Sequence, residues 1–191
     1  RMRRGRVLLG VGGLALFLLI TSVRGLARFW TDYLWFDSLA LSSVWTSVLW
    51  AKIGLGLLFT AVFFVTLWVN LFIADRLAPK LRPPGPEDEL SRRWQQFMGR
   101  RAILVRSLVS LLFALLVGAG VSSQWQSWLF FTNRVDFGIV DQQFGLDVGF
   151  YVFQLPFLTF VVSWAFAAIL VIFVVTTIQH YLNGGIRIQG Q

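Results

Sequence analysis

The chain contains no cysteine. Disulfides, thiolate catalysis, iron–sulfur clusters and Cys-based zinc sites are therefore excluded. It contains one histidine, His180. A bis-His haem within the chain is excluded as well, and a single imidazole with no second His or Cys is a poor metal site. A polar residue near a membrane interface is the preferred reading for it. No G-x-x-x-x-G-K pattern is present, so the glycines do not form a phosphate-cradling loop of that kind. Charge is scarce too. Only 14% of the 191 residues are charged, against about 25% in an ordinary soluble domain.

What fills the chain instead is apolar. Hydrophobic residues make up 57%, with nine Trp and nineteen Phe, and the mean hydropathy is +0.70. Lipid rather than water solvates such a surface, so a membrane protein that crosses the bilayer several times is expected. Four runs are candidates for spans: about 7–23, 53–74, 103–121 and 155–178. The first is roughly 26 Å of helix at 1.5 Å per residue, just enough for a hydrocarbon core. Arg1, Arg3, Arg4 and Arg6 precede it, and Gly25-Leu26-Ala27 follows. That arrangement also suits a signal peptide, but a retained first helix is preferred because further spans follow. The chain begins at Arg1 and stops at Gln191 just after a span, which is the pattern expected of part of a longer protein.

The net charge of +8 raises nucleic acid as a partner. The basic residues lie beside the apolar runs, however, where they act as topology signals, and no nucleic-acid partner is expected. Twelve Lys and Arg fall in the N-terminal tail, the 75–102 connection and the C-terminal tail, against three (Arg24, Arg28, Arg134) in the intervening segments, with Lys52 and Arg106 set aside because they lie near span boundaries. Both ends are thus expected on the cytoplasmic side, with outer segments at 24–52 and 122–154. The first outer segment is rich in Trp and Tyr and reads as interfacial, with Thr31 and Ser43 suited to cap short helices. In the inner connection, Pro86 and Glu87-Asp88-Glu89 mark a helix start. Arg92, Arg93, Arg100 and Arg101 accompany an apolar face there, which suits an amphipathic helix on anionic headgroups or, equally, a solvated basic face.

Inside the spans, Ser110, Ala114, Gly118 and Ser122 recur every four residues. One small-residue face of this kind lets helices approach closely in lipid. Asn70 is expected to hydrogen-bond a neighbouring helix, and Arg106, one turn into the third span, to extend toward the inner interface. No Asp or Glu falls within the four runs, whereas proton-coupled carriers place an ionisable residue near the midplane. This argues against a complete transporter within these residues.

The least generic stretch is Val135–Phe157, with Asp136, Asp141 and Asp147 among repeated Gly and Phe. Asp141 and Asp147 are candidate ligands for a hard cation. Their spacing does not match a 12-residue EF-hand loop, and the preferred reading is that the aspartates cap turns by hydrogen bonding. Gly145 and Gly149 are expected to turn the chain, and Pro156 to mark entry into the fourth helix.

Three stretches carry a resemblance: Thr31-Asp32-Tyr33-Leu34-Trp35-Phe36-Asp37-Ser38-Leu39, the run from Asp141 to Phe157, and the closing HYLNGGIRIQ. In that order they resemble the N-terminal membrane region of uncharacterised protein family 0182, large multi-pass membrane proteins of actinobacteria and cyanobacteria. Gln142 stands where family members often have proline. The resemblance implies about seven spans in all and then a large extracytoplasmic portion, and it implies no catalytic residue. The expected fold is all-α, a polytopic transmembrane bundle with interfacial amphipathic helices. The expected role is that of a scaffold, anchor or accessory subunit of a cell-envelope complex in the plasma membrane, without a cofactor. Its partners would be the bilayer, anionic headgroups and other membrane subunits. The alternative is a transporter or carrier of a lipid-like or other small substrate, and a membrane enzyme stands third because no nucleophile–base pair can be named.

Overall fold

A computed structural model describes residues 2–77, 94 and 101–183. Those residues are helical throughout their long elements and contain no strand. The helices are α1 (Met2–Ser38), α2 (Ser42–Leu77), α3 (Ala102–Gly118), the short α4 (Trp125–Thr132) and α5 (Leu155–Leu182). Three stretches, Ser42–Leu77, Ala102–Thr132 and Phe150–Leu182, are long and apolar enough to cross a membrane. The chain divides into two compact units, 1–50 and 51–191.

In the first unit, α1 runs unbroken through the expected span at 7–23 and on to Ser38. The short capped helices expected between Arg24 and Trp50 do not form. Thr31 Oγ1 donates to the Ala27 carbonyl within α1, and Ser43 lies inside α2, where its carbonyl accepts from Thr46 and Ser47. Gly25-Leu26-Ala27 is likewise inside the helix. The break comes at Leu39–Leu41. Ala40 adopts φ 56°, the Leu41 N–H reaches the Phe36 carbonyl at 2.9 Å, and the Ala40 N–H reaches that of Asp37 at 2.9 Å. This is a Schellman stop built on alanine, not glycine. Trp45 then packs edge-on against Phe29 and Tyr33, with ring centroids 4.8 and 5.1 Å apart.

In the second unit, α2 buries a seam at four-residue spacing: Ala51, Leu55, Phe59, Phe63, Leu67, Leu71. Helix α3 buries Arg106, Ser110, Ala114 and Gly118 at the same spacing. Rows four apart form the ridges by which helices interlock. Gly118 lies against Thr60 and Ser107 against Trp68, so α3 runs antiparallel to α2. Phe59 meets Phe160 and Trp164, while Asp75 meets Gln179, so α5 runs parallel to α2. One core layer gathers Phe63, Leu67, Leu71, Ala114, Ala168 and Ile172, and a second gathers Leu55, Phe59, Val121 and Phe157.

The third helical path does not end near Val121 as expected. It continues through a 3₁₀ turn, Val121–Gln124, into α4. Trp125 and Trp128, which fall in the expected outer segment 122–154, pack on the second core layer, Trp128 lying 5.3 Å from Phe157. A tryptophan suits either environment, and here the neighbouring aromatic surface of α5 is in reach. Helix α5 is entered through a π-helical turn, Phe150–Gln154, with Pro156 in its first turn, where a missing N–H costs least. Asn70 bonds the Thr66 carbonyl of its own helix and not a neighbour.

Candidate functional site

The charged residues nearest the core meet at one end of the three-helix packing. Asp75 sits in the last turn of α2, and Arg106 in the second turn of α3. Each is misplaced with respect to its own helix dipole, an acid at a negative end and a base at a positive one. Each finds its compensation in the other. Arg106 Nη2 donates to Asp75 Oδ2 at 2.7 Å, and their side chains are only 7% and 21% exposed. From α5, Gln179 Nε2 and the capping Asn183 Nδ2 donate to Asp75 Oδ1 at 2.6 and 2.9 Å. One carboxylate therefore accepts from three donors on two helices. The Arg106 guanidinium also lies 5.1 Å from the ring centroids of both Trp68 and Phe72, a favourable cation–π placement. Its Nε has no hydrogen-bond partner among the described residues.

Beside this lock is a cavity of about 190 Å³. Its walls are chiefly apolar, including Leu71, Val105, Val109, Phe113 and Val175, and Arg106 and Gln179 form its polar part. Trp94 also borders it.

The second polar assembly is the 133–149 loop. The chain forms a small clasp, with an isolated antiparallel bridge between Val140 and Asp147. Asp141 N–H donates to Leu146 O, and Val148 N–H to Ile139 O, each at 2.8 Å. Asp147 Oδ1 accepts from the N–H of Phe137 at 3.0 Å and of Gly149 at 2.6 Å, and Oδ2 accepts from Gly138 at 2.8 Å. Asp141 Oδ2 accepts from the Phe144 N–H at 2.9 Å and the Tyr151 hydroxyl at 3.0 Å. These amide donors hold both carboxyls below the ordinary value of 3.8, led by Phe144 at Asp141 and by Phe137 at Asp147. The carboxylates serve the loop's own backbone, and among the described residues no group of three or more His, Cys, Asp or Glu is placed to hold a metal.

Residues 9–191 match the uncharacterised protein family UPF0182. The chain belongs to that family. UPF0182 proteins of Salinispora arenicola and Salinispora tropica are each 37% identical to it over 188 residues, and one of Streptomyces coelicolor is 36% identical over 195. The alignments cover 98% of this chain but 19% of each relative, so the chain spans about a fifth of their length. No solved structure matches it.

Within this UPF0182 segment, Ser110, Ala114 and Gly118 lie on the buried face of α3, while Ser122 lies beyond its end in the 3₁₀ turn and is half-buried. A Cβ on Gly118 would collide with Thr60 Oγ1 and come within 3.1 Å of its Cβ. Gly145 turns the chain at φ 68°, but Gly149 is helical; glycine is required there because a Cβ would strike the Val135 carbonyl oxygen. Gly138, at φ 71°, is a turn residue that the sequence did not single out. Arg101 is exposed at the N-cap of α3, whereas Arg92, Arg93, Arg100 and the surface helix expected around them lie outside the described residues.

Arg106 reaches toward the end of α2 and is buried against Asp75, the first residue of the connection expected after the second span. The available signal was the pair of wrong-end charges: an acid closing one span and a base opening the next must face each other when the two helices pack antiparallel.

Proposed function

We propose that this segment is a non-enzymatic membrane scaffold, which anchors the rest of a larger protein and packs against other subunits of a cell-envelope complex. Its setting on this reading is the bacterial plasma membrane, with the N-terminus in the cytoplasm as the twelve-to-three distribution of Lys and Arg favours. The observation that carries the reading is the division of polarity. Asp75 and Arg106 are consumed by contacts inside the bundle, while the outward faces of the helices are apolar and open. Only 11% of the most apolar stretch of Phe150–Leu182 is buried within the chain, so its surface is available to lipid and to further helices. Purification of the full-length protein in mild detergent tests the proposal. Stable co-purification with other membrane proteins supports it, and recovery of monomer alone overturns it.

The cavity beside Arg106 favours a second reading, the handling of a lipid-like substrate. At about 190 Å³ it lies below the roughly 300–1,000 Å³ of sites for drug-sized ligands. It holds part of a chain, not a whole substrate, and the scaffold reading is preferred for that reason.

A further inference from the structure

The 133–149 loop keeps its polar groups inside and turns apolar side chains outward. Asp147 accepts from the N–H groups of Phe137, Gly138 and Gly149, and Asp141 from that of Phe144. The N–H groups of Asp141, Gly145 and Val148 close on carbonyls of the loop itself. Ile139, Val140 and Phe144 meanwhile stand 65%, 59% and 66% exposed. Water would satisfy those N–H groups unaided, and it disfavours exposed Ile, Val and Phe. Lipid reverses both preferences, because an unpaired peptide group is costly there and an apolar side chain is not. The clasp is also tied down onto the membrane-length helices. The Tyr151 hydroxyl donates to Asp141 Oδ2 at 3.0 Å, and Phe137 packs on Phe153 with ring centroids 5.6 Å apart. Tyr151 and Phe153 belong to the π-helical turn that opens the Phe150–Leu182 stretch. Phe153 in turn meets Phe130 of the Ala102–Thr132 stretch at 6.1 Å.

Helix length sets the level of the clasp in a bilayer. Phe153 lies about 26 residues, or roughly 39 Å of helix, from Gln179 in the Asp75–Arg106 lock. A bilayer counted with its headgroups is about 40–45 Å thick. The lock adjoins the charged 75–102 connection and so marks one surface. Phe153 and the clasp then stand at the headgroup level of the opposite leaflet, and tilt of the helices sinks them deeper. We propose that the clasp docks on lipid, with Ile139, Val140 and Phe144 inserted into that leaflet. Asp136, Asp141 and Asp147 outnumber Arg134 in the loop, so a zwitterionic surface suffices and anionic headgroups add nothing. The proposal rests on the bundle crossing a bilayer, and it does not require the scaffold role.

The test places a nitroxide on the full-length protein, carrying no other cysteine, in phosphatidylcholine nanodiscs. Ile139→Cys and Phe144→Cys report on the clasp, and Phe166→Cys, on the exposed face of α5, reports on the membrane-length helix. Power-saturation electron paramagnetic resonance reads collisions with oxygen, which concentrates in lipid, and with a nickel chelate, which stays in water. At both clasp positions the oxygen-to-chelate ratio should exceed that of the free label in buffer at least about threefold. Two positions are used so that a label disturbing the clasp at one leaves the other to decide. Added phosphatidylglycerol should leave the ratio unchanged, and a rise would overturn the apolar basis of the docking. Buffer-like ratios at Ile139 and Phe144, with Phe166 reading as lipid, overturn the docking and leave the membrane crossing intact. Few collisions with either reagent at the clasp would reveal a protein surface over it, from the rest of the chain or a partner, and overturn the docking equally. Buffer-like ratios at all three positions overturn the membrane crossing itself, and the docking with it.

Discussion

Substitution of Asp75 by asparagine keeps the shape of the side chain and removes what the lock requires. All three groups aimed at Asp75 are donors: Arg106 Nη2 at 2.7 Å on one oxygen, and Gln179 Nε2 and Asn183 Nδ2 at 2.6 and 2.9 Å on the other. An amide presents oxygen on one side only. In either orientation its NH₂ faces a donor, so one arm of the lock is lost and one donor is opposed. Leaving a buried polar group unsatisfied costs about 1–3 kcal/mol, and this is the expected destabilisation of Asp75→Asn. Arg106→Met should cost about 3 kcal/mol. That is the lower end of the range for breaking a buried pair, because Asp75 keeps some access to its surroundings at 21% exposure. Replacing both partners, as in Asp75→Asn with Arg106→Met, leaves no buried unpaired charge. The double variant should fall short of the sum of the single losses by about 0.5–3 kcal/mol. Denaturant or thermal unfolding of the full-length protein in detergent, followed by far-UV circular dichroism, measures all four corners of the cycle. Additive losses, or single losses within about 0.5 kcal/mol of zero, would show that the two residues are not coupled and refute the lock.

Other outcomes follow from single contacts. Gly118→Ala should destabilise α2–α3 packing by about 1–3 kcal/mol, because the new methyl meets Thr60, and Thr60→Ala should restore part of the loss in the same unfolding assay. Ala40→Gly should stabilise the stop between α1 and α2 by up to about 1 kcal/mol, since Ala40 holds φ 56°; an unchanged or lower midpoint would contradict this. The carboxyls of Asp141 and Asp147 are held below 3.8 in the folded loop. Their stabilising contribution is therefore complete above the unfolded value and disappears as the pH falls through the lowered folded value. The amide NMR signals of Phe137, Gly138 and Phe144 should stay unchanged down to about pH 4, near the unperturbed Asp range, and shift only below it, with Asp147→Asn producing the shifted state of Phe137 and Gly138 at neutral pH. Calcium should not raise the melting temperature, because both oxygens of Asp147 and Oδ2 of Asp141 already accept from the loop's own backbone and Tyr151.

The long apolar helices and the family were legible because they depend on local signals: runs of the right length, a proline at a helix entry, and three ordered stretches of unusual composition. The stop at Ala40 was not, since its signal is normally glycine or asparagine, whereas here alanine takes that conformation with the two turn hydrogen bonds around it. Trp125 and Trp128 show a different limit. Their composition fits a lipid interface and a core equally well, and only the approach of Phe157, some thirty residues on, decides.

The lock was hidden for a further reason. Its members are separated by 31, 104 and 108 residues along the chain, so no window of sequence contains it. With Asp75 read as part of the connection and Arg106 as a span-end arginine, neither position by itself pointed to the other. Treated together, the two charges restrict the packing along with the seams. A one-turn slip of about 5.4 Å would strand Arg106 and Asp75 among apolar neighbours and would carry Gly118 away from Thr60, against which a larger residue does not fit. The lock therefore sets the register of α3 and α5 on α2. On this argument its loss should loosen which turn faces which before it lowers helix content, and cysteine cross-linking between α2 and α3 in Asp75→Asn would distinguish that from simple unfolding by giving adjacent-turn products that the unsubstituted lock does not.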